Sequence, residues 1–361
     1  MVAPPRENGG TCANPAGDGT VSRVNIAVVV AGGLSETLQS TPLLRTLRAG
    51  LPQARITLFG PQAATPIIEG IPAIDAFHTS ATLNHRPGAD ALIPTALALR
   101  RLRLDAAVLC TTDAAVREAA YAAGISRRIG PSGGATAALL SDHVSAPIGE
   151  NRAATWLRCA ALLDIRHQLH TPAYEPGPEA RRMADQLVHG SGFADGRLLV
   201  ALTPGTGFAE TDGAPVAMTG WDPERYAHLA NQLAMRHGAG IVLLGAAADR
   251  AAVDRTRLDL GASATDLSGE VDLRIIAGVL ARCDLLVGGD TPLLHLAAAV
   301  GTPGIGLFGP TDGRIRGPYG RDHRVIQALT PRPSNGALPA EWSPMEQIRV
   351  EDVLAGIESS L

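Results

Sequence analysis

Residues 287–312 read VGGDTPLLHLAAAVGTPGIGLFGPTD, and this stretch decides how the chain folds. An apolar run passes through two glycines to Thr291, which can cap a helix, and to Pro292, which fits the first helical turn. Backbone N–H groups and the positive end of the helix dipole collect at such a start, so the stretch predicts a phosphate-binding strand, turn and helix. By spacing alone it also fits an ordinary α/β unit, in which Thr291 is only a cap and His295 only a core histidine.

The composition allows two domains and argues against several classes of partner. A chain of 361 residues can bury a large core. A net charge of −4 with 18% charged residues indicates neither a nucleic-acid partner nor an anionic membrane surface. All 31 basic residues are arginine, which excludes lysine chemistry.

The four cysteines are scattered without C-x-x-C spacing, at Cys12, Cys110, Cys159 and Cys283. They indicate neither a zinc site nor a disulfide framework, so we expect a cytoplasmic protein that holds no metal. Residues 1–22 are rich in Pro, Gly and Asn and lack the apolar core of a secretory signal, and no later run is long enough to span a bilayer. We expect residues 1–22 to form a disordered tail.

Short apolar strands alternate with helical patterns from residue 24 onward, which predicts parallel sheets with helices on both faces. Strands are expected at 25–30, 56–59, 106–110, 127–129, 198–202, 241–245, 284–287 and 304–308. Helices are expected near 36–48, 90–102, 114–123, 151–163, 179–188, 223–237, 249–260, 273–282, 292–300 and 350–360.

A proline-rich stretch at 170–178 interrupts this alternation and is interpreted as an interdomain linker. We therefore expect one Rossmann-like domain at 23–169 and a second at 179–345. The last segment, 346–361, is expected to form a helix that packs back on the N-terminal domain. Ligands would bind in the cleft between the domains, at the carboxyl ends of the strands.

The pattern D-T-x-x-x-H-x-A-A-A-x-G-T-P at 290–303, followed by F-G-P-T-D at 308–312, resembles the signature of glycosyltransferase family 9, the ADP-heptose:acceptor heptosyltransferases. The resemblance covers most of residues 24–357. It implies an α/β protein of the GT-B fold, in which two Rossmann-like domains face a cleft. It also implies that the N-terminal domain binds the acceptor and that the C-terminal domain binds a nucleotide sugar, with no further cofactor.

The segment VVAGGLSETLQSTP at 29–42 resembles the opening segment of the same family. Aligned on its Thr-Pro pair, the family's proposed general base falls on Glu36, and Gly33 and Ser35 fall on the acceptor side. A hydroxyl is a poor nucleophile, so a carboxylate must take its proton as the new bond forms. The alternative is that Glu36 only complements the helix dipole, with Ser35 as the helix cap.

The donor diphosphate is expected between two segments of the C-terminal domain. Residues 198–207, LLVALTPGTG, read as a strand and a glycine-rich turn and resemble a family segment that lines the diphosphate. Together with the start of the helix at 292–300, they make up the expected diphosphate site: Thr203, Gly205, Thr206, Gly207, Asp290, Thr291, Leu293, Leu294 and His295.

The donor nucleoside is expected near two further loops that resemble family segments, VLLGAAAD at 242–249 and DLSGEVDL at 266–273. The expected nucleoside-binding residues are Gly245, Asp249, Leu267 and Ser268. Asp249 equally fits an exposed cap of the following helix. The base cannot be read from these segments.

Two departures from the family pattern concern the diphosphate. The family's phosphate-neutralising lysine falls on Thr219, and no lysine exists elsewhere in the chain. Pro292 stands where the family usually has glycine and deletes one backbone N–H. The neutralising charge must come from an arginine, from a metal ion or from more backbone donors, because an unneutralised diphosphate is a poor leaving group.

The acceptor is expected to be a small soluble molecule. Up to residue 170 the chain has 15 arginines and 12 acids, so the N-terminal domain lacks the basic surplus that a phosphorylated lipid would favour. We therefore expect inverting transfer of a heptosyl group from ADP-heptose to a hydroxyl or amine. The alternatives are transfer from another nucleotide-hexose, and a degenerate GT-B protein that binds a nucleotide without catalysis.

Overall fold

The computed structural model describes residues 23–84, 87–165, 170–193, 196–206, 219–269, 271–328 and 343–359. The expected tail at 1–22 and the site residue Gly207 lie outside these ranges. The described chain forms two α/β domains, each built on a six-stranded sheet whose paired strands are all parallel.

The N-terminal sheet has the strand order β3-β2-β1-β4-β5-β6. Its strands are β1 Asn25–Val30, β2 Arg55–Pro61, β3 Ala76–Ser80, β4 Ala106–Cys110, β5 Arg127–Pro131 and β6 Asp142–Val144. The helices are α1 Leu34–Gln39, α2 Thr41–Gly50, α3 Leu92–Arg101, α4 Ala114–Ala122 and α5 Arg152–Arg158, with 3-10 segments that include Gln62–Gly70 and Cys159–Leu163.

The C-terminal sheet has the strand order β12-β11-β10-β7-β8-β9. Its strands are β7 Leu199–Thr203, β8 Gly240–Leu243, β9 Ala264–Asp266, β10 Leu285–Gly289, β11 Gly304–Phe308 and β12 His323–Gln327. The helices are α6 Pro178–Gly190, α7 Pro223–His237, α8 Arg250–Leu258, α9 Leu273–Leu280, α10 Pro292–Val300, α11 Gly313–Arg316 and α12 Val350–Glu358.

Both sheets have the same connectivity. Numbered within its own domain, each sheet runs 3-2-1-4-5-6, the order of the Rossmann fold. The order reverses between β1 and β4 in one domain and between β7 and β10 in the other. Ligands of such sheets bind at this reversal, beyond the carboxyl ends of the strands. The expectation of two Rossmann-like domains is therefore confirmed, and the topology indicates where to look for the site.

The central strands form because they are apolar on both faces. In β1, residues 26–30 are buried, and every residue of β4, β7, β10 and β11 is buried as well. Helices cover both faces of a parallel sheet, so continuous burial of the central strands is expected. Gly306 of β11 permits the approach of α10, since a side chain there would overlap Leu294 and Phe308.

The linker is bonded to both domains. The Tyr174 N–H donates to the Ala299 carbonyl at 2.8 Å, and the Glu175 N–H donates to the Gly70 carbonyl at 2.8 Å. Tyr174 itself is 3% exposed. The linker therefore holds α10 of the second domain close to the 3-10 segment Gln62–Gly70 of the first.

The expected position of the last helix is wrong. α12 packs on the C-terminal domain, against α7 and the strands β11 and β12. Its buried residues Val353 and Ile357 join an apolar cluster made of C-terminal residues, which includes Trp221. The Trp221 indole N–H donates to the Ile348 carbonyl at 2.8 Å, which fixes the chain just before α12. The apolar face of α12 is thus buried within its own domain.

The expected helix at 36–48 is two helices, α1 and α2. Pro42 follows the first residue of α2 and has no N–H to bond to Leu38, so the α-helical hydrogen-bond pattern is interrupted there. This break lets α1 take its own direction, towards α10 of the other domain, which it contacts.

Candidate active site

The reversal point of the C-terminal sheet brings together the ends of β7 and β10. Thr203 lies directly against Gly288, because a side chain at Gly288 would overlap the Thr203 hydroxyl. Thr219 lies close to the next residue: its carbonyl oxygen would be 3.3 Å from a Cβ atom at Gly289. The position of the absent lysine is therefore beside the turn that leads into α10.

The start of α10 differs from the pattern expected of an open phosphate site. The Thr291 N–H donates to the Gly289 carbonyl at 2.8 Å, and the Leu294 N–H donates to the Thr291 carbonyl at 3.1 Å. Pro292 contributes no N–H. Thr291 is the N-cap residue, but its hydroxyl makes no cap bond and is buried without a partner in the described structure. The backbone amides of Thr291 and Leu294 are therefore used in hydrogen bonds within the turn, whereas the Thr291 hydroxyl remains for a ligand.

Asp290 is buried and binds an arginine that the sequence analysis missed. Arg316, at the end of α11, donates from Nε to Asp290 Oδ2 at 2.7 Å, and its side chain is 5% exposed. Burial raises the pKa of the Asp290 carboxyl, while the Arg316 guanidinium acts in the opposite direction. Asp290 was expected to contact the diphosphate; the structure shows it holding a cation at the start of α10.

His295 is a buried, neutral histidine in the interface between the domains. Burial lowers its pKa to about 3. The side-chain amide of Gln39 lies 3.3 Å from both of its ring nitrogens and also donates to the Arg316 carbonyl at 3.0 Å. His295 therefore supplies no positive charge to a ligand at neutral pH.

Glu36 is 8% exposed and lies between its own helix start and two arginines. Its Oε2 accepts from the Gly33 N–H at 3.0 Å, and its Oε1 accepts from Arg152 Nη1 at 2.7 Å. Arg316 Nη1 is 4.0 Å from Oε1. The backbone at Gly32 has φ +129°, and a Cβ atom there would overlap the Glu36 carboxylate. Glu36 thus stabilises the first turn of α1 and also faces the cations of the cleft.

Gly33, rather than Ser35, is the N-cap of α1. Ser35 lies inside the first turn, and its hydroxyl is buried without a partner among the described residues. Ser35 therefore presents a hydrogen-bonding group next to Glu36 that folding alone does not satisfy. The assignment of Ser35 to the acceptor side stays a prediction.

The second missed arginine, Arg152, is the first residue of α5. Asn151 caps this helix, accepting from the Ala153 N–H at 3.0 Å, and its amide donates across the cleft to the Gly317 carbonyl at 2.9 Å. The residue after Arg316 is therefore bonded to the residue before Arg152. No motif marks either arginine; the absence of lysine was the only sequence signal that an arginine is needed here.

The expected nucleoside-binding loops lie at the ends of β8 and β9. Asp249 is 5% exposed, which contradicts its interpretation as an exposed cap, and it accepts from the Ala246 N–H at 2.7 Å. Its carboxylate lies so close to Gly205 that any side chain there would overlap it. Asp249 thus joins two loops of the donor side.

Leu267 and Ser268 follow β9. Leu267 is buried, and Ser268 donates from its hydroxyl to Asp266 at 2.6 Å. The Gly269 N–H donates to the Gly245 carbonyl at 3.0 Å, which aligns the two loops side by side. The two loops are therefore hydrogen-bonded to each other beyond the ends of β8 and β9.

A cavity of about 560 Å³ lies between these loops and the N-terminal domain. Its size is in the range of small-molecule sites. Arg274 on its wall reaches across to Glu69 of the other domain at 2.9 Å. The lining residues are Thr65, Pro66, Glu69, Ala246, Ala247, Gly269, Val271, Asp272, Leu273 and Arg274.

Among the described residues, no group of three or more His, Cys, Asp or Glu side chains is arranged to hold a metal ion. No helix in the described ranges combines the length and the apolar character needed to cross a membrane.

Comparison with known proteins gives the family and the fold of the chain. A sequence model described as "Glycosyltransferase family 9 (heptosyltransferase)" matches residues 115–336. Lipopolysaccharide heptosyltransferase 2 of Salmonella typhimurium strain LT2 is 24% identical over 323 residues, covering 85% of this chain and 89% of its own length.

Two solved structures share the fold. The glycosyl transferase family 9 protein of Veillonella parvula superposes with a TM-score of 0.78 at 19% identity, covering 93% of this chain and 97% of the other. The E. coli ADP-heptose LPS heptosyltransferase II superposes with a TM-score of 0.70 at 22% identity, covering 93% and 98%. The two Rossmann-like domains therefore have the GT-B arrangement, and the chain belongs to glycosyltransferase family 9, as a glycosyltransferase of the heptosyltransferase type.

Proposed function

We propose that this protein transfers a heptosyl group from ADP-heptose to a hydroxyl or amine of a small soluble acceptor, with inversion at the anomeric carbon. The relatives support the donor, since they are named for heptosyl transfer and, in one case, for ADP-heptose. The site supports the chemistry. A carboxylate from one domain faces the phosphate-binding helix start of the other, across the reversal points of both sheets.

In the proposed reaction Glu36 is the general base. The acceptor oxygen or nitrogen attacks the anomeric carbon while its proton passes to a Glu36 carboxylate oxygen. The bond between the anomeric carbon and the diphosphate oxygen breaks, and its electron pair leaves with ADP. A single displacement of this kind inverts the anomeric configuration.

The donor is placed by the C-terminal loops. The diphosphate lies at the start of α10, near Thr203, Gly205 and the Thr291 hydroxyl. The nucleoside occupies the cavity of about 560 Å³ beside the loops that follow β8 and β9. The sugar then lies between α10 and Glu36, where the two domains meet.

The observation that carries this proposal is the pair of contacts made by Arg316. The same guanidinium is 2.7 Å from Asp290 at the donor helix and 4.0 Å from Glu36 at the proposed base. The Arg316 guanidinium therefore lies between the proposed base and the proposed leaving-group site, and a direct displacement requires such proximity.

A lipopolysaccharide core is the alternative acceptor, because the sequence relative is named for that substrate. The nearly balanced charge of the N-terminal domain favours the small acceptor. A nucleotide-binding protein without catalysis is the alternative function, and the ion pair between Glu36 and Arg152 favours it, since a paired carboxylate is a weaker base.

One assay separates these possibilities. Purified protein is incubated with ADP-heptose, ADP-glucose or UDP-glucose, each with small polyols, amines or lipopolysaccharide core, and nucleoside diphosphate release is measured. The proposal expects acceptor-dependent ADP release from ADP-heptose, and NMR of the product showing the inverted anomer. Binding of ADP-heptose without release under any condition would establish the non-catalytic alternative.

A further inference from the structure

A departing nucleoside diphosphate needs a cation, and this chain offers few kinds. It has no lysine. His295, the histidine at the start of α10, is neutral because burial lowers its pKa to about 3. The turn before α10 uses the Thr291 and Leu294 amides for its own hydrogen bonds. Arginine is therefore the side-chain cation available to the leaving group at the start of α10.

Among the described residues, two guanidinium groups lie next to Glu36, and they differ in position. Arg152 belongs to the N-terminal domain, binds Glu36 at 2.7 Å and has a side chain that is 26% exposed. Arg316 belongs to the C-terminal domain and is almost fully buried. Its guanidinium lies between Asp290 at the donor helix and Glu36 at the proposed base. It is 2.7 Å from Asp290 and 4.0 Å from Glu36.

Buried polar atoms on the same elements point to a ligand. The Ser35 hydroxyl, the Gln39 amide oxygen and the Thr291 hydroxyl are all buried, and none has a hydrogen-bond partner within the described structure. They belong to α1 and to the start of α10, which contact each other across the cleft. Buried polar groups are normally satisfied, so a polar ligand at this place would complete the site.

We propose that Arg316 is the cation that binds the donor diphosphate, and that it is shared with Glu36, so that proton uptake by Glu36 releases the positive charge to the leaving ADP. This inference rests on the function proposed above and adds the residue that performs leaving-group stabilisation. In the same arrangement, Arg152 of the N-terminal domain forms an ion pair with Glu36 on the proposed acceptor side.

The charge balance explains why sharing is useful. Before reaction, Glu36 and Asp290 balance Arg152 and Arg316. When the acceptor proton moves to Glu36, that carboxyl becomes neutral, and one guanidinium charge is no longer compensated. At the same moment the diphosphate oxygen receives the electron pair of the broken bond. The site thus gains positive character when negative charge develops, which is the condition for preferential stabilisation of the transition state.

The test compares Arg316 with a neighbour on the same helix. Arg316→Met alone would leave Asp290 buried without its cation, so the double variant Asp290→Asn/Arg316→Met keeps the site neutral, and Asp290→Asn alone is its reference. Arg314→Met is the matched control, since Arg314 is 74% exposed and pairs with Asp312. Arg316→Lys tests rescue by a second kind of cation.

Calorimetry with ADP and AMP, together with kcat across pH, gives the readouts. We expect the double variant to lose about 10²-fold to 10³-fold in kcat relative to Asp290→Asn, as for loss of one transition-state donor. We also expect a larger loss of affinity for ADP than for AMP. The acidic limb of the kcat profile should move to higher pH, because Glu36 loses a neighbouring cation. Arg316→Lys should recover part of each effect, and Arg314→Met should match the unmodified protein.

The failures are distinguishable. If the unmodified protein neither binds ADP nor releases it from ADP-heptose, the proposed function and this inference both fall. If the unmodified protein does both, while the double variant matches Asp290→Asn in ADP affinity and in its pH profile, Arg316 is only a structural partner of Asp290. In that case the inference is refuted and the proposed function stands.

Discussion

The substitution Glu36→Gln tests the proposed base and has two expected effects of opposite sign. The amide keeps the size of the side chain and can still accept from the Gly33 N–H, so the first turn of α1 is retained. It cannot accept the acceptor proton. We expect kcat to fall by about 10²-fold or more, the usual contribution of a general base.

The affinity for ADP should rise in the same variant. Glu36 is 4.0 Å from Arg316, and a unit charge pair at about 4 Å interacts by roughly 1 kcal/mol in water and about 4 kcal/mol at an effective dielectric constant of 20. Because the ion pair with Arg152 at 2.7 Å already offsets much of the Glu36 charge, we take the lower value. Removal of the competing carboxylate should then tighten ADP binding about fivefold.

The assay is acceptor-dependent ADP release at saturating ADP-heptose, with calorimetry for ADP. Asp75→Asn is the matched control, because Asp75 is also a carboxylate held by two arginines, Arg23 and Arg48. It should lower stability and leave kcat and ADP affinity unchanged. An unchanged kcat in Glu36→Gln would remove Glu36 from the mechanism, and weaker ADP binding would refute the competition for Arg316.

Three further outcomes are expected. The folded protein holds the pKa of His295 at about 3, below the usual value near 6.5, so the unfolded chain binds the extra proton as pH falls from about 6.5 towards 3 and stability is lost over that window. The free energy of unfolding should fall by about 2 kcal/mol between pH 7 and pH 5. Urea unfolding should show a smaller fall for His295→Gln, and an equal fall would contradict the low pKa of His295. Gly205→Ala should lower the free energy of unfolding by about 1–3 kcal/mol, because the added methyl group overlaps Asp249. Gly190→Ala, which has open space around it, should lower it less in the same measurement. Equal losses would show that the loops around Gly205 adjust. Turnover should survive EDTA, because Arg316 is proposed to supply the neutralising charge; a loss that added divalent metal restores would contradict this assignment.

The sequence predicted the central strands well and the edge strands poorly. β1, β4 and β11 have the predicted bounds, because strands covered on both faces are continuous apolar runs. The edge strands β3, β6, β9 and β12 were not predicted. They are only partly buried and mix polar with apolar residues, as in HRVIQ of β12, so neither an apolar run nor a regular alternation marks them.

Site residues set by local structure were also predictable. Thr291 is the N-cap residue of α10, as predicted, and Thr203 is the last residue of β7, one position beyond the predicted strand, because a strand, a turn and a helix cap are specified by neighbouring residues. The role of Asp290 was not predictable in the same way. Its partner Arg316 lies 26 positions further along the chain, in a short helix that no pattern marked.

By itself, then, the sequence determined the two parallel sheets, the strand, turn and helix around Thr291 and the family, since these depend on periodicity and on contiguous motifs. Only the tertiary structure decided which arginine side chains lie at the cleft beside Glu36. The contact between Glu36 and Arg152 joins residues 116 positions apart, and the one between Glu36 and Arg316 joins two domains. Such contacts exist only after both sheets have folded and α1 has packed against α10, because their energy depends on distances and burial that no local pattern specifies.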